Sequence, residues 1–139
     1  MIFQRALHRE LASAAGATVA GNTGVVYVSL PIQNPYVGNY HCTGYFQHPT
    51  SPRAINLDQT MSTINCNTVL SFVGDLGAGR PLWLQINPDN SVTLIDQSGL
   101  GVAPLGANTY NPGTRTFSLN YGYPAAAPTR IITETCVHL

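Results

Sequence analysis

The chain has 139 residues, of which 9% are charged, and its formal net charge is zero. It is long enough for one domain with its own core, and its six basic residues are all arginines. Such a neutral composition argues against nucleic-acid binding, which depends on neutralising phosphates. It also argues against electrostatic binding to anionic lipid.

The N-terminal stretch favours a short helix. Apolar side chains recur every four residues among several alanines, which predicts a helix over residues 2–15 that Gly16 ends. The stretch does not resemble a signal peptide, because Arg5 and Arg9 interrupt the place where an apolar core would lie. No apolar run along the chain approaches the length of a transmembrane helix.

A β-rich pattern follows the N-terminal stretch. Alternating or β-branched segments predict strands at residues 25–30, 36–48, 59–64, 68–73, 80–87, 91–96, 115–123 and 129–137. Gly44 lies inside the second of these and suggests a bulge or a bend. The glycine-rich residues 97–106 leave room for a weak strand leading into Tyr110. Counted from Tyr40, seven or eight strands at this spacing predict an all-β antiparallel meander, sandwich or small barrel.

Two turns join predicted strands into hairpins. Residues 87–90, with the sequence Asn-Pro-Asp-Asn, have the residue order of a type I turn. Within residues 109–114, Pro112 presets φ for the second turn position, and Gly113 can supply the positive φ that a type II turn needs next. The second turn opens the closing hairpin, which is the clearest element of the sequence.

The closing hairpin permits two registers. In the one that we favour, Phe117 and Leu119 share an apolar inner face with Cys136 and Ile132, and the threonines lie outside. The alternative register exposes Ile132 and buries the threonines. Because a shift by one residue moves every side chain to the other face, the two registers predict opposite surfaces.

The favoured register places a carboxyl group inside the protein. Glu134 then lies on the inner face of the hairpin, where a buried polar group needs a partner. Arg115 and Arg130 flank the hairpin, and we expect one of them to pair with Glu134.

Three cysteines, Cys42, Cys66 and Cys136, leave at least one thiol unpaired, so their number implies no disulfide framework. Cys42 and Cys136 lie within predicted strands. We expect them to be small buried apolar side chains, which is the common environment of a free cysteine.

Several segments together resemble a known family. They are residues 34–40, 43–46 and 48–49, then residues 87–93, and then residues 108–123 and 130–135. They resemble the C-terminal β domain of Bacteroidetes surface lipoproteins, a family of domains of unknown function associated with polysaccharide-utilisation systems. Residues 14–18 and 25–30 resemble the closing part of the immunoglobulin-like domain that precedes such a domain.

The resemblance implies a compact, lipocalin-like antiparallel barrel or sandwich over residues 34–139. It implies that residues 1–33 are an N-terminal extension, the remnant of an upstream β domain. It also implies an extracytoplasmic place at the outer membrane or cell surface, with membrane contact only through a lipid anchor that this chain does not carry. The implied partners are a glycan, a partner lipoprotein or an outer-membrane transporter.

Aromatic residues are the candidates for a sugar site, because sugars stack on rings that polar groups surround. Trp83 lies on the face of its strand opposite the leucines of the same strand, and is the first candidate. Tyr45, Tyr110 and Tyr121 are further candidates. The alternative for each of them is ordinary core packing.

The sequence nominates no metal site and no catalytic site. The histidines and cysteines do not show the paired spacing of metal ligands. No pair of carboxylates is identified for glycoside hydrolysis, and no nucleophile motif is present. We therefore expect no cofactor and no catalysis.

Two functions remain open from the sequence. The first is a non-catalytic extracytoplasmic binding or accessory module that handles glycan. The second is a structural spacer or docking domain with no ligand of its own.

Overall fold

The computed structural model describes residues 4–10, 25–31 and 33–139. The chain divides between Gln33 and Asn34 into two units, which are taken in turn. The origin of residues 1–33 in an upstream β domain stays a prediction. Residues 11–16, the end of the predicted helix, lie outside the described residues.

The first unit contains an antiparallel strand pair. Strand β1 (Gln4–Glu10) pairs along its whole length with β2 (Val25–Pro31). The predicted strand at residues 25–30 is confirmed, whereas the predicted helix is wrong over Gln4–Glu10. A short helix is marginal without packing, and the β-branched strand β2 offers this segment a complete ladder of backbone partners instead.

The second unit contains nine further strands and one turn of 3₁₀ helix at Gly77–Gly79. The strands are β3 (Gly38–Gln47), β4 (Arg53–Asn65), β5 (Thr68–Phe72), β6 (Pro81–Ile86), β7 (Val92–Asp96), β8 (Ala103–Pro104), β9 (Thr109–Asn111), β10 (Thr116–Tyr123) and β11 (Arg130–His138). Every strand predicted after residue 35 is present, and β4 begins well before the predicted segment. No helix among the described residues has the length and apolar character needed to cross a membrane.

These strands form an antiparallel, nearly closed barrel. Their order is β7-β6-β5-β4-β3-β11-β10-β8, and β9 also pairs with β10. The two ends of this order meet where Ser91 bridges Thr109, where the Val92 amide donates to the Asn108 carbonyl (2.8 Å), and where the Tyr110 amide donates to the Asn90 carbonyl (2.8 Å). The predicted all-β antiparallel barrel is confirmed.

The closing hairpin adopts the register that places apolar side chains inside. Phe117 lies opposite Cys136, Leu119 opposite Glu134, and Tyr121 opposite Ile132. All six of these side chains are buried, while the threonines of β11 are exposed. The favoured register is therefore confirmed, and it places Glu134 in the interior.

The two predicted turns differ in outcome. At residues 87–90 the Asn90 amide donates to the Asn87 carbonyl (2.9 Å), as a β-turn requires. The type II turn at Pro112 is wrong, because the positive φ occurs at Arg115 (49°) and not at Gly113. The Asn111 side chain instead accepts hydrogen bonds from the two amides that follow Pro112, so an asparagine turn replaces the glycine turn.

Gly44 allows two strands to approach closely. The ladders on both sides of β3 run through Gly44 without a shift in register, so the predicted bulge or bend is wrong at this position. A Cβ atom here would overlap the backbone of Thr133 and Glu134 on β11. The irregular register lies instead on β4, between Thr63 and Asn65.

A disulfide bond joins Cys42 of β3 to Cys136 of β11, directly across the same strand pair. Both residues are buried, as expected, but the expectation that they are free thiols is wrong. Cys66 is a free cysteine and is exposed. The residue spacing could not reveal the bond, because its two ends are 94 residues apart in sequence.

We expect Gly44→Ala to lower the free energy of unfolding by about 3 kcal/mol or more, because the added methyl group overlaps backbone that cannot move away easily. Gly79→Ala is the matched control, since an added Cβ there meets no atom within 4 Å. Urea unfolding of both variants measures the difference, and equal stabilities would contradict the close approach.

Removing the disulfide with Cys42→Ala and Cys136→Ala together should cost about 4 kcal/mol, because the bond closes a long loop in the unfolded chain. Cys66→Ala should be nearly neutral, since this thiol is exposed and unpaired. Thermal unfolding of both variants measures the effect, and a double variant as stable as the parent protein would refute it.

Candidate functional site

The outer face of β5, β6 and β7 carries apolar side chains. Along β6 the leucines and Ile86 are buried inside the barrel, so Trp83 points outward. Leu70 of β5 and Ile95 of β7 lie directly beside Trp83 on this outer face. Phe72 follows Leu70 on the same side of β5. These four partly exposed residues, Leu70, Phe72, Trp83 and Ile95, form the outer apolar patch.

Polar side chains border the outer apolar patch. Gln85 follows Trp83 on β6 and lies opposite Thr93 of β7. Ser62 of β4 lies opposite Leu70 and is exposed. The patch thus combines an indole ring and a phenyl ring with amide and hydroxyl groups, which is the composition of many sugar-binding surfaces.

Beside the patch, the barrel wall has an opening. Strand β4 pairs with β5 only at its C-terminal end, from Ser62 onward, while residues Arg53–Met61 pair with β3 alone. A cleft of about 460 Å³ lies where β4 and β5 separate. We call it the wall cleft, and its lining residues are Leu57, Asp58, Gln59, Thr60, Ser62, Phe72, Gly74, Asp75 and Gly77.

Both carboxylates of the wall cleft have partners. The Asp58 carboxylate lies 2.6 Å from Nδ1 of His41 on the neighbouring strand, at the surface. The Asp75 carboxylate accepts two hydrogen bonds of 2.5 Å from the Arg53 guanidinium. This forked geometry holds Asp75 more firmly than a single bond does.

Gln59 separates the wall cleft from the disulfide. Its side chain is buried, and its amide nitrogen lies 3.0 Å from the sulfur of Cys42 and 3.7 Å from that of Cys136. The floor of the cleft is therefore an amide group with the buried disulfide directly beneath it.

A chain of hydrogen bonds runs from the wall cleft into the core. The Gly74 amide donates to the Tyr121 hydroxyl (2.9 Å), and this hydroxyl donates to Oε1 of Glu134 (2.6 Å). Oε2 of Glu134 is buried and has no hydrogen-bond partner among the described residues. The predicted pairing of Glu134 with Arg115 or Arg130 is wrong, because Glu134 is at the centre of the barrel and both arginines lie near its ends. Arg115 donates instead to the carbonyls of Pro35 and Val37.

Burial sets the protonation of this pair. It raises the pKa of Glu134 to about 7, against an opposing contribution from the Tyr121 hydrogen bond, and the charge of Asp75 raises it further. Burial, and then the neighbouring Glu134, raise the pKa of Tyr121 well above its ordinary value. Tyr121 therefore remains a neutral donor, while Glu134 loses its proton only near neutral pH.

The structure distributes the four predicted ligand-binding residues over different places. Trp83 is on the outer apolar patch, and Tyr45 is half exposed on the outer face of β3. Tyr45 lies opposite Ala54 of β4, whereas Trp83 aligns through Leu70 with Ser62, near the other end of β4, so these two side chains belong to distant parts of the outer face. Tyr110 is in the core, where its ring contacts Tyr36 and Phe117. Tyr121 is fully buried, so only Trp83 and Tyr45 reach the surface.

One group of possible metal ligands occurs among the described residues, namely Cys42, Glu134 and Cys136. The two sulfur atoms are bonded to each other, so in this state they offer no thiolate to a metal ion. The histidines do not join this group.

Sequence reasoning missed the rest of the site. Leu70 and Phe72 alternate with buried residues along β5, so the predicted strand already contained a signal for a second apolar face. Gln59 and Thr60 lie in the strand predicted at residues 59–64, and Asp58 lies directly before it. The partner of this strand on one side ends early. Nothing local in the sequence indicates that ending.

Comparisons with known proteins place this architecture among related domains. Residues 25–136 match a family model that is described as "-like, C-terminal". No curated protein sequence matches the chain.

Two solved structures from Bacteroides ovatus have a similar fold. A multidomain protein that includes the domain of unknown function DUF1735 matches with a TM-score of 0.52 and 11% identity, over 76% of this chain and 56% of that one. A structural-genomics protein of unknown function matches with a TM-score of 0.51 and 10% identity, over 81% of this chain and 50% of that one. The chain thus spans about half the length of each.

We expect the stability of the protein to fall as the pH rises from about 4.5 to about 7. In this window folded Glu134 keeps a proton that the unfolded chain has released. The Glu134→Gln variant lacks this pH-dependent contribution to the free energy of unfolding, but its side-chain oxygen still accepts the hydrogen bond from Tyr121. The stability of the parent protein relative to the variant should fall by about 3 kcal/mol across the window.

Urea unfolding of both proteins at several pH values measures this difference, because titrations elsewhere in the chain affect both alike. Parallel stability curves for the parent protein and the Glu134→Gln variant would show that Glu134 does not titrate in this range.

Proposed function

The chain belongs to the family of C-terminal domains that it matches over residues 25–136, as its resemblance to Bacteroidetes domains predicts. From this premise we propose that it is a non-catalytic, extracytoplasmic binding or accessory module that binds glycan on the outer apolar patch. It acts within a larger surface protein or beside a partner, such as a lipoprotein or an outer-membrane transporter.

The observation that carries the proposal is the outward position of Trp83 beside Phe72 and Leu70. Each of these side chains is partly exposed although the barrel interior is already filled by other residues. Aromatic faces bordered by Gln85, Thr93 and Ser62 suit a sugar ring, whose C–H face packs on the rings while its hydroxyls bind the polar groups.

The buried disulfide supports an extracytoplasmic location. Disulfides such as Cys42–Cys136 persist in oxidising compartments and are rare in the cytosol. The scarcity of charged residues and the exposed threonines of β11 are compatible with a surface that contacts neutral polysaccharide. Placement at the outer membrane itself rests on the family resemblance.

The arrangement of the carboxylates supports a non-catalytic role. Asp75 is held by Arg53, and Glu134 is buried against Tyr121. Asp89 and Asp96 accept hydrogen bonds within the turns that they stabilise. Asp58 lies at the surface beside Nδ1 of His41, and glycoside hydrolysis requires two facing groups.

The proposal predicts that at least one polysaccharide of a neutral panel binds the protein and that Trp83→Ala weakens this binding at least about tenfold, since a central aromatic anchor is lost. Isothermal titration calorimetry measures both proteins. Val137→Ala, which shortens an exposed side chain on β11, is the matched control and should bind like the parent protein.

If no polysaccharide binds and Trp83→Ala is indistinguishable from the parent protein, the glycan proposal is contradicted. The alternative is a docking domain without a glycan ligand. One specific observation favours a docking role, the unpaired edge of β4 in the wall cleft, which adjoins the outer apolar patch at Phe72 and Ser62.

A further inference from the structure

The wall cleft exposes one edge of a β-strand. Along β4, residues Arg53–Met61 form a ladder with β3, and on the other side the ladder with β5 begins only at Ser62. We propose that this edge of β4 binds an extended peptide segment of a partner protein, which adds a strand to the barrel within the wall cleft.

Which backbone groups face the cleft follows from the alternation of strands. The Leu139 amide donates to the Asn39 carbonyl, so Asn39 directs its backbone groups toward β11. Successive residues alternate in this direction, so Cys42 directs its groups toward β4, where Leu57 lies opposite. Leu57 therefore bonds to β3, and its neighbour Asp58 directs its amide and carbonyl into the cleft.

By the same alternation, Asn56, Asp58 and Thr60 direct their amides and carbonyls away from β3. The next residue in this series, Ser62, uses these groups to pair with Leu70 of β5. The three residues before it have no strand partner on this side among the described residues. Unpaired groups of this kind are a template for the main chain of another strand.

The edge is open because the chain leaves the wall after β5. Gly74 adopts a positive φ of 51° and donates its amide inward to Tyr121. Asp75 then binds Arg53 at the start of β4. The segment after Phe72 therefore follows the interior and bridges the cleft, and it does not continue the ladder along β4.

The side chains around the edge define the partner. A peptide residue beside Leu57 and Gln59 points inward, toward the part of the cleft that these two side chains line. A peptide residue beside Asp58 points outward, where the carboxylate is 66% exposed. Arg53, at the start of β4, is already bound to Asp75. The complementary segment alternates apolar residues, directed inward, with a basic residue, directed outward.

The same features disfavour two other occupants. If two copies of the chain paired through β4 with Asp58 opposite Asp58, two carboxylates would be brought together, and like charges directly opposite each other repel. A sugar chain does not carry the regularly spaced amides and carbonyls that the three unpaired residues match. An extended, basic-apolar peptide satisfies both the backbone groups and the charge.

The test uses a capped pentapeptide that alternates valine and lysine, in two N-methylated forms. One form is methylated at every valine and the other at every lysine. Because a strand directs alternate amides to opposite edges, only one edge of the peptide faces β4. We expect calorimetry to detect binding of one form and at least about tenfold weaker binding of the other.

Two variants locate the binding on β4. Asp58→Lys should weaken binding of the valine–lysine peptide at least about tenfold and strengthen binding of a valine–glutamate peptide. Thr60→Pro removes an amide that faces the cleft and is not used in the ladder with β3, so it should block binding while the melting temperature changes little. Trp83→Ala, on the outer apolar patch, should bind the peptides like the parent protein.

Several results would overturn the proposal. They are equal binding of the two methylated forms, no binding of either form at millimolar concentration, and an unchanged charge preference in Asp58→Lys. Self-association that Thr60→Pro abolishes would assign the edge to a second copy of the chain. If a polysaccharide competes with the peptide and Thr60→Pro also weakens binding of that polysaccharide, the edge of β4 is a glycan site. If Trp83→Ala loses glycan binding and keeps peptide binding, glycan and peptide bind at separate sites, as proposed.

Discussion

The hydrogen bond from Gly74 to the hydroxyl of Tyr121 connects the core of the barrel to the opening in its wall. It directs the chain inward after β5, so the segment that follows does not extend the ladder between β4 and β5 beyond Ser62 and Leu70. The same hydroxyl donates to Glu134, a carboxyl with no other hydrogen-bond partner in the part of the chain that the structure describes, and Glu134 lies directly across the strand pair from the close approach at Gly44. Tyr121 therefore takes part both in the polar group of the core and in the chain path that borders the wall cleft. A change at one of these places affects the other.

The barrel is stabilised unequally around its circumference. At β3 and β11 the disulfide and the close contact at Gly44 join two strands that are distant in sequence. On the opposite side, the barrel is closed by the bridge at Ser91 and by two further backbone hydrogen bonds. The proposed binding surfaces lie between these regions, on β4 to β7, where one strand edge is free and the outer face is apolar. Rigid strands therefore support both surfaces, which lowers the entropic cost of binding.

The two surfaces have different chemistry. The outer apolar patch presents rings with amide and hydroxyl neighbours, which suits a neutral ligand of flat shape. The wall cleft presents unpaired backbone groups and the Asp58 carboxylate, which suit an extended peptide with basic side chains. The two proposed roles are compatible with each other, since Trp83 and Asp58 are on different strands.

Local patterns in the sequence determined much of this protein. Period-2 alternation predicted the strands of the barrel after residue 35 other than the short β8 and β9, favoured the inward register of the closing hairpin and predicted the outward position of Trp83, because each depends on which neighbouring residues are apolar. Contacts between distant residues decided the rest. Pairing with β2 overrode the helical pattern of Gln4–Glu10, and the meeting of β3 with β11 brought Cys42 to Cys136. In the barrel interior Tyr121 of β10, and not an arginine, is the partner of Glu134. The tertiary structure also decided the wall cleft. The edge of β4 is free because the neighbouring chain segment takes another path, and no residue of β4 itself indicates this.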